Sequence, residues 1–386
     1  MRILRTASTG RLLAVAGVVL VALAGAVAAI AASRGGGPTP PPAPLATALH
    51  NALTAQKPAG VTARVTFTNN LFPSGALTGQ TGSALMSGAS GRLWVNANGG
   101  RLELQSDSGD VQIVWNGTEV TAYDASSNTA YVATLPKDTS GGSTTAHTPP
   151  TIAQITSFLS DAGAHWTISA AQPSNVAGQE AYDASASPKG SGGLLASGEL
   201  AWDALRGVPL RLAIYAKGST APALALEVTD ISFGQVPDSD IQVSPPAGAK
   251  IVDLSKELSG SSGSASTPPV TGLAAVEAAA PFTVVAPATL GGQTLSGIRL
   301  LDGKTVVAVY GDGLGALVVA ERAQDAAAKG SSPLDQLPTV QVGGVTAHEL
   351  STELGTALAW NRGGVSYDLA GSVTAAAAEA AAGSLK

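Results

Sequence analysis

The sequence predicts a β-rich α+β protein: a half-open antiparallel β-barrel closed by short helices, followed by a smaller α+β domain. From Gly91 to Pro136, five runs of alternating apolar and polar residues are separated by turn signals such as Asn98-Gly99-Gly100 and Asn116-Gly117. A period of two with one apolar face is typical of a sheet with one buried face. Asn-Gly between such runs favours hairpins with type I′ turns, which need positive φ at both central residues. This stretch therefore predicts a sheet curled over something apolar.

Composition supports this fold class and excludes several functions. The 386 residues suffice for two or three domains, and 46 Gly and 23 Pro with only 12% charged residues fit a β-rich chain with many turns. A hydrophobic content of 45% argues against disorder. After residue 34 the chain has 17 basic against 27 acidic residues, a net charge of −10. An acidic chain of this kind argues against nucleic acid as a partner and against electrostatic docking on anionic lipid. The absence of cysteine excludes disulfides, thiolate metal sites, a cysteine nucleophile and a lipobox.

Residues 1–34 predict a signal peptide or an uncleaved membrane anchor. Three arginines at positions 2, 5 and 11 precede an uncharged run over 12–32, which is long enough to span a bilayer as a helix. Positive charge before the run places the N-terminus in the cytoplasm and the rest of the chain outside. The alternative is a secreted protein, cleaved at the small residues Ala29-Ile30-Ala31. We therefore expect a single-pass protein of the cell membrane with its body outside, or a protein secreted after cleavage.

Composition shifts divide the remaining chain. Residues 35–44 (GGGPTPPPAP) predict a Pro-rich linker in extended polyproline II conformation, which lifts the body off the membrane. Residues 45–256 form the predicted barrel domain, and residues 257–272 are a flexible Ser/Gly linker. Residues 273–386 are the predicted C-terminal α+β module.

The barrel domain contains two predicted helices. Leu45–Gln56 is amphipathic, with a stripe of Leu45, Leu49, Ala52 and Leu53, and Pro149–Leu159 places Ile152, Ile155 and Leu159 on one side. The other predicted elements are strands at Val61–Leu71, Trp166–Ala170, Val176–Tyr182, Leu200–Asp203, Leu210–Lys217 and Leu224–Phe233, and an extended closing segment at Pro237–Lys250.

The C-terminal module begins with two predicted central strands, because Thr305–Val309 and Leu314–Ala320 are apolar on both faces. Gly311-Asp312-Gly313 is the predicted turn between them. Further strands are predicted at Val345–Leu350, Ala357–Arg362 and Val365–Leu369, and Ser372 is the predicted N-cap of an Ala-rich terminal helix.

Three passages carry a family resemblance. They are the meander from Gly91-Arg92-Leu93-Trp94 through Trp115-Asn116-Gly117, Tyr123-Asp124 and Thr129-Ala130-Tyr131; the segment Val176–Tyr182; and Trp202-Asp203, Gly207-Val208-Pro209-Leu210-Arg211, Phe233 and Pro245–Ala249. Together they resemble the LolA/LolB lipoprotein carriers in their actinobacterial form, which share their fold with the N-terminal domain of RseB/MucB. The tail over 359–371 is similar to a C-terminal module of Gram-positive extracytoplasmic and anti-sigma-associated proteins, a likeness that establishes no function.

The resemblance implies a half-open barrel whose apolar concavity binds acyl chains, so the expected function is extracytoplasmic binding of a lipid or lipidated protein. The carriers are free periplasmic shuttles, whereas this chain is predicted to be tethered. None of their ligand-contacting residues can be matched here, so the ligand-binding residues stay unknown. Two alternatives remain open: an RseB-like sensor that binds an anti-sigma factor, and a structural envelope protein whose barrel is filled by its own side chains.

No reaction chemistry is evident in the sequence, which predicts no enzyme, no catalytic residue, no metal and no cofactor. The four histidines, His50, His147, His165 and His348, lack metal-ligand spacing. Gly311-x-Gly313-x-Gly315 precedes a strand rather than a helix, which favours a turn over a dinucleotide loop. Asp238-Ser239-Asp240 lacks the further oxygen ligands of a calcium loop. The five tryptophans lie in predicted strands, where they pack in the core or at the rim, or line a ligand concavity: Trp94, Trp115, Trp166, Trp202 and Trp360.

Overall fold

The computed structural model describes residues 37–72, 83–135, 149–190, 192–255, 269–324 and 337–385. The predicted anchor over 1–34 and most of the Ser/Gly linker lie outside these residues. The described chain is dominated by strands arranged in two large sheets with few helices, which confirms the predicted fold class.

The first sheet has 13 strands. Their bounds are β1 Gly60–Asn69, β2 Ala89–Asn96, β3 Gly99–Ser106, β4 Gly109–Asn116, β5 Glu119–Asp124, β6 Thr129–Thr134, β7 Trp166–Ile168, β8 Gln172–Val176, β9 Gln179–Pro188, β10 Leu195–Asp203, β11 Pro209–Ala216, β12 Leu224–Phe233 and β13 Lys250–Asp253. The helices that accompany it are α1 Leu45–Thr54, α2 Ala84–Ser87, α3 Ile152–Ala162 and α4 Asp238–Ile241.

The strand order is β13-β6-β5-β4-β3-β2-β1-β12-β11-β10-β9-β7, with β8 paired to β9. The path begins at β13 and ends at β7, so the described sheet is open along that seam. All neighbours are antiparallel except β13, which runs parallel to β6. The predicted closing segment is therefore only partly extended, because the one-turn helix α4 precedes β13 within it.

The hairpins of the meander lie where the sequence predicts them, but the turns are not type I′. Neither Asn98 nor Asn116 has positive φ. Instead, a side-chain oxygen of the last residue of each strand accepts a hydrogen bond from the backbone N–H two residues later. Asn, Asp and Ser form this local bond readily. The accepting side chains are Asn96, Ser106, Asn116 and Asp124, and the donating N–H groups are those of Asn98, Ser108, Thr118 and Ser126, at 2.8, 3.2, 2.8 and 2.9 Å.

The main core lies on one face of β1 to β6. Strand alternation places every second side chain on this face, among them Val65 and Phe67 of β1 and Leu102 and Leu104 of β3. Leu85 of α2, a helix that the sequence reading missed, packs into the same cluster. Other buried side chains of this part of the core include Val61, Val111, Ile113, Val120 and Tyr131.

Helix α1 packs on strands β9 and β10 of the same sheet. Ala48 and Ala52 are buried against Tyr182 and Trp202, whereas Leu53 of the predicted stripe is 50% exposed. Helix α3 begins with a capping box between Thr151 and Gln154 and packs against α1. Of the predicted stripe, Ala52 is buried and Leu45 and Leu49 pack partly buried against the same cluster, so only Leu53 lies outside the contact of α1 with the sheet.

The Pro-rich segment that leads into α1 is docked on the sheet. The Asn175 side chain donates to the carbonyl of Pro38 at 2.8 Å, and the Tyr182 hydroxyl donates to that of Pro41 at 2.7 Å. At least this part of the predicted linker is therefore held against β8 and β9 rather than free.

The second sheet has nine strands in the order β14-β16-β17-β18-β22-β21-β20-β19, with β15 paired to β16. The predicted pair, β17 and β18, lies side by side inside this sheet, but β18 begins at Leu317 rather than at Leu314, because a 3-10 turn at Gly313–Gly315 lengthens the predicted connection. Strand bounds are β14 Val270–Thr271, β15 Thr289–Leu290, β16 Gln293–Leu301, β17 Thr305–Tyr310, β18 Leu317–Ala323, β19 Thr339–Val342, β20 Val345–Thr352, β21 Gly355–Arg362 and β22 Val365–Gly371. Its helices are α5 Leu273–Ala279, which was not predicted, and α6 Ala375–Ser384.

The predicted N-cap of the terminal helix is wrong. Thr374 caps α6 by accepting from the Ala377 N–H. The Ser372 hydroxyl is engaged elsewhere: it donates to the Leu354 carbonyl at 2.7 Å and accepts from the Leu194 N–H at 2.9 Å. Ser372 thus links the second sheet to the turn before β10.

Candidate ligand-binding face

The apolar face of the first sheet continues from β1 across β12, β11, β10 and β9. Cross-strand pairing aligns its side chains in two rows. The first row is Phe67–Leu226–Leu212–Leu200–Ala184, and the second is Asn69–Leu224–Ile214–Gly198–Ala186–Ile168. We call the β12–β9 part of these rows the leucine rows: Leu200, Leu212, Ile214, Leu224 and Leu226, with Ala184, Ala186 and Gly198.

The leucine rows differ from the β1–β6 part of the same face in burial. All five large side chains of the rows remain partly exposed, whereas Leu104, Ile113 and Val120 on the other part are 0–1% exposed. A sheet face that is apolar but incompletely covered is the kind of surface on which an apolar ligand binds. Leu200, Leu224 and Leu226 also pack against the protein's own core clusters, so the leucine rows are an incompletely covered part of the same core face.

The opposite face of the same strands is polar. Its central row is Thr66–Glu227–Arg211–Ala201–Asp183. The Arg211 guanidinium is nearly buried, lies 3.5 Å from the Glu227 carboxylate and donates to the Tyr215 hydroxyl at 3.3 Å. Burial, followed by the neighbouring Glu199 carboxylate, raises the pKa of Tyr215. The charged residues of this half therefore lie away from the leucine rows.

The most specific motif of the resemblance forms the turn between β10 and β11. Asp203, 1% exposed, accepts from the N–H groups of Leu205 and Arg206 and pairs with the Arg206 side chain at 3.1 Å. Gly207 has φ +60°, and a β-carbon there would overlap the carbonyl oxygen of Ala52 in α1. The motif thus fixes a tight turn against α1, which is a structural rather than a chemical role.

The tryptophans all lie in strands, as predicted, but only some face the apolar side. Trp115 lies in register with Gly100 and Val120 on the core face of the meander. Trp94 lies on the other face, with the Arg101 guanidinium 5.0 Å from its ring. Trp202 and Trp360 are core residues at 3% exposure, packed against Tyr182 and Tyr367 respectively.

The histidines and Asp238 are the residues at which the sequence allows a metal to be considered. His50 lies 2.9 Å from the Pro150 carbonyl, His348 lies in β20, and His147 is outside the described residues. Asp238 accepts from the side chains of Asn98 and Asn96, which hold the pKa of its carboxyl below the usual range. Amide donors rather than oxygen ligands surround it. No cluster of three metal-ligating side chains occurs in the part of the chain that the structure describes.

A buried carboxyl lies in the core of the second sheet. Glu321 on β18 is 0% exposed, and its Oε2 accepts from the Val285 N–H at 3.0 Å, while its Oε1 has no hydrogen-bond partner. Burial raises its pKa to about 7, and the bond from Val285 offsets only part of this shift. Burial, and secondarily Glu321 itself, raises the pKa of Tyr310 on the adjacent strand to about 12.

None of the helices within the described ranges between residues 37 and 385 is both long and apolar enough to cross a membrane. The predicted anchor over 12–32 lies outside those ranges.

No family model and no curated protein matches the chain. Among solved structures, it is similar to the MucA/MucB complex of Pseudomonas aeruginosa, at 15% identity and a TM-score of 0.40 over 88% of this chain and 96% of that one. A structure of MucB in complex with MucA(peri) gives 13% identity and a TM-score of 0.39 over 87% of this chain and 94% of that one. A putative outer membrane lipoprotein-sorting protein domain from Vibrio parahaemolyticus gives 12% identity and a TM-score of 0.21 over 52% and 96%. MucB and a lipoprotein-sorting domain are the two kinds of protein that the sequence resemblance names.

Proposed function

We propose that the chain is a non-enzymatic, extracytoplasmic protein that binds an acyl chain of a lipid or lipidated protein on the leucine rows. The observation that carries this proposal is the partial exposure of a continuous apolar face on β9 to β12. The charged side chains next to the leucine rows, those of Glu199, Arg211 and Glu227, lie on the opposite face, which supports an apolar ligand over a polar one.

An acyl chain can be bound through burial of its methylene groups alone, without a polar contact. Each methylene removed from water contributes about 0.8 kcal/mol, so ten buried methylenes contribute about 8 kcal/mol. This exceeds the lower end of the roughly 4–15 kcal/mol that association costs in lost freedom of motion. A single acyl chain could therefore be held with modest affinity by the leucine rows alone, which fits the lack of a recognisable site motif in the sequence.

The test is uptake of a fluorescent fatty acid by the purified full chain, with Leu212→Gln as the site variant. Leu212 lies in the middle of the first leucine row, on the central strand β11. Glutamine is of similar size, but its amide loses hydrogen bonds to water when a ligand covers it. We expect the dissociation constant to rise about tenfold, which corresponds to about 1.4 kcal/mol.

The matched control is Glu199→Gln, because Glu199 is on the polar face of the neighbouring strand β10 and is also partly buried. We expect its affinity to stay within about twofold of the unaltered chain. Circular dichroism of both variants verifies folding. Absence of uptake by the unaltered chain, or equal losses in the two variants, would refute the assignment of the leucine rows.

The tightly filled β1–β6 part of the face is the one observation that favours the structural alternative, because there the protein's own side chains, including Leu85, occupy the interior. An unaltered chain that carries no lipid by mass spectrometry and takes up none would support a structural envelope role. Recovery of a membrane anti-sigma protein with the lipid-free chain would support the RseB-like sensor instead.

We also propose that the run over 12–32 attaches the protein to the cell membrane with its described domains outside. The sequence supports this through the length of the run and the arginines before it. A cleaved, secreted form remains the alternative, and N-terminal sequencing of the mature protein distinguishes the two.

A further inference from the structure

Four large apolar side chains are exposed around the ends of α1 and α3. Leu53 near the end of α1 is 50% exposed, Ile152 and Phe158 on α3 are 42% and 69% exposed, and Leu205 in the β10–β11 turn is 73% exposed. Single exposed apolar residues are ordinary, but neighbouring ones mark contact surfaces.

Three contacts place the segments that carry Leu53, Ile152 and Leu205 in one region, and none of them reaches Phe158. Helices α1 and α3 pack together, and His50 of α1 lies 2.9 Å from the carbonyl of Pro150, two residues before Ile152. Gly207, two residues after Leu205, lies against the Ala52 carbonyl, next to Leu53. We call Leu53, Ile152 and Leu205 the helix patch.

The N-terminal segment reaches the fold beside this patch. Gly37 lies against the Asn175 side chain, which also holds the Pro38 carbonyl. Asn175 pairs with Glu180, and the Glu180 carbonyl accepts from the N–H of Ala204 at 2.9 Å, one residue before Leu205. Leu205 is therefore one strand away from the point at which the chain arrives from residue 36.

The distance from the apolar run to this point is short. Five residue steps separate Ala32, at the end of the run, from Gly37, and they span at most about 18 Å when fully extended. If the run crosses the bilayer, the edge of the sheet at Asn175 lies within that distance of the end of the run. Because Pro38 and Pro41 are hydrogen-bonded to the sheet, residues 38–41 do not add to the distance that the connection can span.

From this geometry we infer that the helix patch inserts into the interface of the lipid bilayer to which the N-terminal run attaches the protein, an inference that rests on the proposed membrane attachment. Apolar side chains that project from a protein surface bind at the boundary between head groups and acyl chains. The docking uses apolar contact, which agrees with the acidic character of the chain after residue 34. Strand β10 of the leucine rows ends at the turn that carries Leu205. Insertion of the helix patch would therefore bring the leucine rows next to the bilayer that supplies their lipid.

The absence of native cysteine allows a site-specific test on the full chain. Leu205→Cys carries an environment-sensitive fluorophore, and the protein is inserted into vesicles of phosphatidylcholine and phosphatidylglycerol with a nitroxide quencher on their acyl chains. The control is Ile251→Cys, because Ile251 is also a highly exposed apolar residue, at 59%, but lies on β13, outside the elements that carry the helix patch. We expect acyl-chain quenching to be at least threefold stronger at position 205.

Equal quenching at the two positions, or failure of the protein to float with the vesicles, would overturn the inference. Shielding of position 205 from an aqueous quencher without lipid quenching would overturn it too, because protein, such as a second copy of the chain, would then cover the patch. Fatty-acid uptake by the same preparations is scored separately. Uptake without quenching removes only the membrane docking, and quenching without uptake supports the docking while removing only the acyl-chain site.

Discussion

Replacing Glu321 by Gln is expected to stabilise the second sheet by about 3 kcal/mol above pH 7, and to change its stability little below pH 4.5. The folded protein raises the pKa of this carboxyl from 4.5 to about 7 because it is buried in the core. Each pKa unit corresponds to about 1.36 kcal/mol, which gives about 3 kcal/mol for the whole shift. Glutamine resembles the protonated acid in shape and can still accept from the Val285 N–H, so it avoids the cost of a buried charge.

The sign follows from proton binding. Between pH 4.5 and 7 the folded state holds more protons on Glu321 than the unfolded state does, so the free energy of unfolding falls as the pH rises. Above pH 7 the carboxyl is ionised in both states and the full penalty applies. The unaltered second sheet should therefore lose stability over this window, and Glu321→Gln should remove that contribution.

Hydrogen exchange measured by mass spectrometry checks this, since peptides from β17, β18 and β22 report on the second sheet separately from the first. The control is Glu277→Gln, which neutralises an exposed carboxyl on α5. Parallel pH dependence in the unaltered chain and in Glu321→Gln would show that Glu321 does not titrate in this window.

The sequence predicted the positions of the hairpins in the meander well, because the interactions that end each strand involve only neighbouring residues. Asn96, Asn116 and Asp124 end their strands by binding the backbone two residues later, an interaction contained within three residues. The positions of the hairpins could therefore be predicted from the sequence, but the turn type could not. Asn-Gly suggests a turn with positive φ, whereas these turns are held by a side-chain hydrogen bond and do not have it. The one-turn helix α2 escaped prediction for the opposite reason: four residues carry no helical period, and tertiary contacts of Leu85 hold it in place.

The candidate site was not predictable to the same degree. Alternation placed Leu210, Leu212 and Ile214 on one side of β11, but it could not show that Leu210 is 1% exposed while Leu212 and Ile214 remain partly open. That difference depends on which elements cover the sheet, which is a property of distant chain segments. The same limit explains Leu53: the helical period includes it in the stripe, but α1 packs on the sheet through Ala48 and Ala52, with Leu45 and Leu49 beside them, and leaves Leu53 outside.

Gly207→Ala is expected to destabilise the first sheet by about 3 kcal/mol. Its positive φ costs an alanine about 1–2 kcal/mol, and the added β-carbon would overlap the Ala52 carbonyl, which adds an overpacking cost of about 1–3 kcal/mol. The overlap can be relieved only by moving α1 away from Tyr182 and Trp202, because the obstacle is backbone.

Gly218→Ala separates these two contributions. Gly218 has a similar φ of +82° in the turn after β11, but nothing lies within 4 Å of its missing β-carbon. It should therefore lose only the backbone term of about 1–2 kcal/mol. Urea denaturation followed by tryptophan fluorescence measures both, since Trp202 is buried against α1. Equal losses in the two variants would mean that α1 does not press on the β10–β11 turn, and the contact that connects Leu53 with Leu205 in the helix patch would then be absent as well.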